Sequence, residues 1–455
     1  MGQKRKKNLM IYSVFALVLC IIVLWPAQQV HAETAVDANG KAVQEEPVRI
    51  LLVGNSLTRC QINSEGRTIK SHLKKMANAS GKPVVIKTVA YGGASLRNYA
   101  GMNPAKKRHA KRFRKALKSN EWDYVILQEL TVFHYKDSEE KMYPAVKKLL
   151  KQIKKQVPDA EVMLYVPRGY DEIEKEDYDK LEAMEMECQM GAAGDRISEK
   201  FDISLIQVGM QFYRCNIQYP HIRMMDADKK HPTKAGYFLA ASCIYQKIFG
   251  EKPEISPSML EHASLKKEEA EQLIGLWGEG IQSQTVEVTM AAGDTHVMKV
   301  TGAASQSVPG EVRFTSLDET VATVDDVTGE ITAVGSGMTV VVAETIDGWQ
   351  SYCSVYVPYA VPAGLHVESE VSTRADGQGL VSVKLTWEKK ENTGYAVYRA
   401  KSENGSYKLL GTVRKGSFVD TTATLGKTWY YKIAAVNGYA VCASEKTKAV
   451  SVSLR

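Results

Sequence analysis

Ile50, Leu51, Leu52 and Val53 form an unbroken apolar run that stops at Gly54. Four apolar residues without polar alternation, closed by a turn residue, read as a strand covered on both faces, as in a parallel sheet. Runs of this kind recur from Arg49 to about Gly280, at 84–89, 124–127, 161–166 and 203–208. Between them lie amphipathic stretches such as 69–79, 141–157 and 178–200. This alternation predicts an α/β fold, a parallel sheet with helices on both faces. In such sheets ligands sit beyond the carboxyl ends of the strands, which is where Ser56 falls.

At 455 residues the chain exceeds what one core supports, so several domains are expected. The formal charge of +7 includes Lys4, Arg5, Lys6 and Lys7, which leaves +3 from Glu33 onward and removes overall charge as an argument for nucleic acid. Those four cations precede an apolar run at 9–25 and then Val30-His31-Ala32, the layout of a signal peptide over 1–32 cut after Ala32. The run is also long enough to cross a bilayer at ~1.5 Å per residue, so an uncleaved anchor is the alternative and the one expected membrane contact. Cys20 follows Leu19 rather than a small residue, which argues against a lipoprotein cut there. Either way the chain is expected to be exported, secreted or held at the cell surface, with a polar leader at 33–47.

Cys60, Cys188, Cys215 and Cys243 allow three pairings that the sequence leaves open, and Cys353 and Cys442 stand alone in later segments. Neither a CxxC nor a Cys/His cluster is present, and His221 with Asp226 lacks ligand spacing, so no metal and no cofactor are expected.

After Gly280 the pattern changes to short alternating strands and turns. The stretch 312–345, with its VATVD strand and GEITAVGSGMTVVVA hairpin, resembles bacterial immunoglobulin-like domains of surface proteins. The segment from Val361 to Arg455 resembles a fibronectin type III module, with VSVKLTW ending in the core-suited Trp387 and with YAVYRA and TWYYKIAAV as later strands. The domain boundaries read as 48–281, 282–358 and 361–455. Neither β module carries a nucleophile with a base, and both are expected to act as spacers, with contact to a ligand as the alternative.

Chemistry concentrates in the first domain. A serine on a turn is usually a turn former. Ser56, however, follows an apolar strand and Gly54, and it needs a base, since a free hydroxyl is a poor nucleophile. His231 is the candidate base, and Asp228, three residues before it, can orient the ring and stabilise the imidazolium. Read singly, Asp228 is a helix N-terminal acid before Pro232-Thr233 and His231 a solvated loop residue.

Together, GNSLT at 54–58, the late DxxHP at 228–232 and the α/β pattern resemble the SGNH, or GDSL-like, hydrolase superfamily over roughly 48–250. The resemblance implies a flavodoxin-like three-layer fold and ester hydrolysis through a serine acyl-enzyme. Ser56 would be the nucleophile, Asp228 and His231 would complete the triad, and Asp226 would be the fallback acid. It further implies an oxyanion hole made by the N–H of Ser56, the N–H of Gly93 in VAYGGASL, and a side-chain amide. Two departures stand out. Asn55 replaces the common Asp, and the third block reads WDYVILQELT instead of Gly-x-Asn-Asp. Gln128 is the amide available there, as third donor or as buried support.

Cys60 reads as packing, and Tyr91, Arg97 and Phe133 are candidates for the acyl slot. The basic run from Lys106 to Lys118 reads as the solvated face of a helix that turns Ala110, Phe113 and Leu117 to the sheet, with attraction of anionic wall polymers or acidic glycans as the sharper alternative. No aromatic interleaving suggests nucleic acid. The leading reading is an exported esterase acting on an acylated extracellular glycan or cell-wall polymer. The alternatives are a weak or inactive hydrolase-fold protein that binds surface glycans, and a structural surface protein.

Overall fold

The computed structural model describes residues 46–59, 68–135, 141–169, 183–278, 280–302, 312–373, 379–390, 393–436 and 443–454. The expected export segment, most of the leader, Cys20, Cys60 and Cys442 lie outside them.

The first sheet contains β1 (Val48–Gly54), β2 (Val84–Ala90), β3 (Tyr124–Gln128), β4 (Glu161–Val166) and β5 (Ser204–Gln207). All pairings are parallel and the order is β2-β1-β3-β4-β5, the flavodoxin-like arrangement. β1 is paired on both edges. Ile50 and Leu52 enter the core on one face, Leu51 and Val53 the core on the other. That is why the run shows no polar alternation: side chains still alternate, but both faces are apolar.

Six helices matter for the site: α1 (Ile69–Ala79), α2 (Lys107–Leu117), α3 (Tyr143–Gln156), α4 (Ala183–Phe201), α5 (Val208–Gln218) and α6 (Lys234–Phe249). α1, α5 and α6 cover one face through Leu73, Phe212 and Phe238, and α2, α3 and α4 cover the other through Phe113, Leu149 and Met190. The result is a three-layer α/β/α domain. The helix expected at 141–157 starts properly at Tyr143, with Pro144 in its first turn, where a missing N–H costs nothing. Cys188, Cys215, Cys243 and Cys353 are free and buried, and burial pushes their thiols up, Cys215 and Cys353 to about 12.

Beyond Gly280 the chain forms all-β sandwiches. One pairs a sheet of Val312–Ser316, Gly337–Thr345, Gln350–Val357 and Glu287–Thr289 with a sheet of Ala322–Val324, Glu330–Ala333 and Thr295–Val297. The last sandwich encloses Val383, Leu385, Tyr431 and Ile433, and Trp387 packs edge-on to Tyr395 at 5.2 Å.

The first sandwich is docked rather than merely strung on the chain: its four-stranded sheet packs on α4 and α5. Tyr352 fits against Gly191 of α4, where a Cβ would stand 2.2 Å from the ring. It is buried there with Cys188, Ala192, Met210 and Val342. The Arg196 guanidinium donates to the Ser354 hydroxyl. Arg214 of α5 lies 3.7 Å over the Trp349 ring and pairs with Asp347 at 3.0 Å. Tyr213 donates to Glu344 at 2.8 Å.

Candidate active site

β1 ends in a tight turn. Gly54 is needed by close approach, since a Cβ there would lie 2.2 Å from Thr58 Oγ1 and 2.5 Å from Gln128 Oε1. The turn closes with the N–H groups of Thr58 and Arg59 donating to the Asn55 carbonyl, each at 3.1 Å. Ser56 sits on it, half-buried. The strand order reverses between β1 and β3, so the residues following these two strands face one crevice.

The second half of the site is the loop from Met224 to Thr233. Asp226 N–H donates to the His231 carbonyl at 2.8 Å, and Lys229 takes a left-handed φ of 55° to close it. Asp228 organises its tip: Oδ1 accepts the N–H of Lys230 at 3.0 Å and of His231 at 2.9 Å. Its Oδ2 meets His231 Nδ1 at 2.6 Å, and His231 Nε2 meets Ser56 Oγ at 2.9 Å. The three residues singled out from sequence are therefore in hydrogen-bonded series.

Burial alone would raise the Asp228 carboxyl, but the bonds from the His231 ring and from the two N–H groups outweigh it and bring it to about 2. An ionised Asp228 only accepts, so the proton rides on Nδ1 and Nε2 presents a lone pair to the Ser56 hydroxyl. Asp226, the fallback acid, instead accepts from Ala227 N–H at 2.9 Å. His221 is exposed, edge-on to Tyr219. Among the described residues no group of three His, Cys, Asp or Glu is placed to hold a metal ion.

Gly93 occupies the third position of a turn closed by Ala94 N–H on the Tyr91 carbonyl at 3.0 Å, with φ 64°. That conformation favours glycine, and the space a Cβ would enter is open. An N–H on such an exposed turn is free to meet a ligand oxygen.

Gln128 faces the turn that carries the serine. Its Oε1 accepts from Asn55 N–H at 2.9 Å and from the Thr58 hydroxyl at 3.0 Å, while its Nε2 donates to the Glu129 carbonyl. The orientation is forced at both ends, because Asn55 N–H demands an acceptor and a carbonyl demands a donor. Gln128 is buried support for the serine's turn.

Three residues complete the frame: Asn55, noted in the sequence only as a departure, and Glu129 and Tyr237, which sequence reasoning passed over. Asn55 donates to the carbonyls of Ala94 and Glu129, each at 3.3 Å, joining the loops after β1, β2 and β3. Tyr237, in the first turn of α6, donates to the Ser56 carbonyl at 2.5 Å. Glu129 is wholly buried, and its Oε1 accepts from Leu96 N–H at 2.9 Å and Leu130 N–H at 2.6 Å. Burial pushes its carboxyl up to about 8, and Oε2 has no hydrogen-bond partner. The available signals were an acid directly after a buried strand and a tyrosine one turn into the helix after the histidine.

Of the acyl-slot candidates, Tyr91 is held by Arg112, which donates to its hydroxyl, and by His109 at 4.6 Å; Arg97 is half-buried, and the side chain of Phe133 lies outside the description.

Residues 281–348 match the family model described as Bacterial Ig-like domain (group 2). Among solved structures, the chain is similar to the lipase/acylhydrolase from Enterococcus faecalis at 16% identity, covering 46% of this chain and 100% of that one, with a TM-score of 0.33. It is similar to the Clostridium thermocellum family 3 carbohydrate esterase at 14% identity, covering 44% and 94%, with a TM-score of 0.33. It is also similar to a Fn3-like protein from Clostridium thermocellum at 21% identity, covering 21% and 93%, with a TM-score of 0.17. No curated protein matches the chain. The architecture is a three-layer α/β domain followed by all-β sandwiches, the first of which carries the match to the Ig-like family model.

Proposed function

We propose that the chain is an exported serine esterase of the SGNH type that removes acyl groups, acetyl among them, from extracellular carbohydrate. The observation that carries this reading is the series Ser56 Oγ, His231 Nε2, His231 Nδ1, Asp228 Oδ2, with contacts of 2.9 and 2.6 Å. In this reading Ser56 Oγ attacks the ester carbonyl as its proton passes to His231 Nε2. Asp228 stabilises the imidazolium that forms. The N–H groups of Ser56 and Gly93 receive the oxyanion. Collapse expels the alcohol, which takes the proton from His231. Water, deprotonated by the same ring, then frees the acid and restores Ser56.

Export is supported by the basic and apolar N-terminus, and a polymeric substrate by the sandwiches that follow the α/β domain. One observation favours the second reading, a weak or inactive surface glycan-binding protein: the Gln128 amide oxygen and one of its N–H groups are engaged by the serine's turn and the Glu129 carbonyl, and one missing oxyanion donor typically costs ~2.7–4 kcal/mol.

The test is labelling of the full chain by a fluorophosphonate probe beside its Ser56→Ala variant. Labelling that disappears with Ser56 supports the esterase and leads on to acetylated glycans. A folded protein that stays unlabelled moves the assignment to binding.

A further inference from the structure

The basic run noted in the sequence is half of a larger feature. From Pro104 to Asn120 the chain has eight lysines and arginines and no acid, and from Tyr143 to Val157 five lysines and no acid. All thirteen are exposed. They belong to α2, α3 and their ends, which bury Phe113, Leu117, Leu149 and Ile153 in the same core and so turn their cationic sides outward on one face of the sheet. The short helix Leu96–Tyr99 touches both.

We infer that the outer face of α2 and α3 is a docking surface for a flexible phosphate-bearing polymer chain. Charge is segregated along the sequence: the chain from Glu33 onward carries only +3, so acids elsewhere offset these two stretches, which contain none. Among the described residues no acid pairs with any of the thirteen cations. Like charges four apart, as at Lys107 and Lys111 or Lys147 and Lys151, repel within a helix, and among the described residues no acid pairs with them to relieve this. A polyanion laid across it does so, releasing its own counterions. At ~1.5 Å per residue the helices offer tracks roughly 16 and 21 Å long, room for a few repeats.

The chemistry separates this partner from two others. A membrane-seated helix inserts apolar side chains, and none of the exposed large apolar residues belongs to α2 or α3. Bases of nucleic acid stack on open aromatic faces, whereas Tyr91 and Tyr143 are covered by Arg112 at 5.1 Å and Lys200 at 5.3 Å. Through Arg112 and Tyr91 the surface adjoins the Gly92-Gly93 turn. It stands whether or not Ser56 is a nucleophile.

The experiment titrates long-chain inorganic polyphosphate into the full chain, into Lys147→Glu/Lys151→Glu/Lys154→Glu and into the neutral Lys111→Gln/Lys115→Gln. The expected result is binding that weakens at least tenfold between about 50 and 200 mM salt. The triple variant should lose at least tenfold in affinity and the neutral variant several-fold, with melting temperature and fluorophosphonate labelling unchanged and no binding of neutral dextran. Ser56→Ala should bind as the parent does, which separates this surface from the esterase reading. Equal affinity in parent and triple variant overturns the inference. So does tighter binding of phosphatidylglycerol vesicles, which would make the face a membrane contact, or of single-stranded DNA, which would make it a nucleic-acid contact.

Discussion

The Tyr237 hydroxyl donates to the Ser56 carbonyl at 2.5 Å, so the helix that starts three residues after His231 also holds the turn that carries the serine. Nucleophile and base are thereby referenced to one rigid element. Tyr237→Phe keeps the buried ring and removes this bond. The expected loss is about 0.5–1.5 kcal/mol of stability by urea denaturation. Fluorophosphonate labelling should slow several-fold at unchanged probe affinity, because the serine is less well placed.

Asp228→Asn tests the relay. The amide no longer dictates which ring nitrogen holds the proton, and in a buried triad that change costs roughly 10⁴-fold. Asp228 is half exposed to water, so a drop of about 10²–10⁴-fold in ester turnover is expected. The carboxyl is depressed to about 2, and the stability it adds is present above the ordinary carboxylate range and fades only as pH falls toward 2. The parent should therefore lose no activity through this group between pH 7 and pH 5.

Glu129 reverses the sign. Its folded carboxyl is raised to about 8, so between the ordinary carboxylate range and pH 8 the unfolded chain ionises while the folded chain stays protonated. Stability contributed by this site falls across that window and levels off above it. Glu129→Gln should flatten the fall, and urea midpoints at pH 5, 7 and 9 read this directly. A parent and variant with parallel pH dependence would refute the assignment.

At the seam between the α/β domain and the first sandwich, Gly191→Ala forces a Cβ toward the Tyr352 ring, while Tyr352→Ala empties its socket. Overpacking of this kind costs ~1–3 kcal/mol, and removing a large aromatic ~3–5 kcal/mol. Calorimetry should show the α/β and Ig-like melting events moving apart in both variants, more widely in Tyr352→Ala.

Much of this molecule was legible in its residues. The strand cores, the helices expected at 69–79 and 141–157, and the Asp228–His231 pair follow from apolar runs and local spacing, which act over short range, whereas the meeting of that pair with Ser56, 175 residues away, was expected from the family resemblance. Gln128 shows the limit. Its residue type fitted an oxyanion donor, but its direction was decided by Asn55 N–H and the Glu129 carbonyl, partners set by strand pairing. The roles of Asn55, Glu129 and Tyr237 were missed for the same reason, since each acts across loops far apart in sequence. The Ig-like docking was equally hidden, because Gly191 and Tyr352 look ordinary until α4 and a distant sheet are laid together.

The seam on α4 and α5 also has a mechanical meaning. A pull on the Ig-like sandwich is not borne by the connecting chain alone. It is borne across the Arg214–Asp347 pair, the Trp349 stack and the Tyr352 plug, and it enters the α/β domain broadside through two helices. Helices loaded sideways share force over many contacts at once. A tether attached through the Ig-like sandwich would thus hold the domain bearing Ser56 at a set angle, as a bracket does, where a bare linker would let it swing.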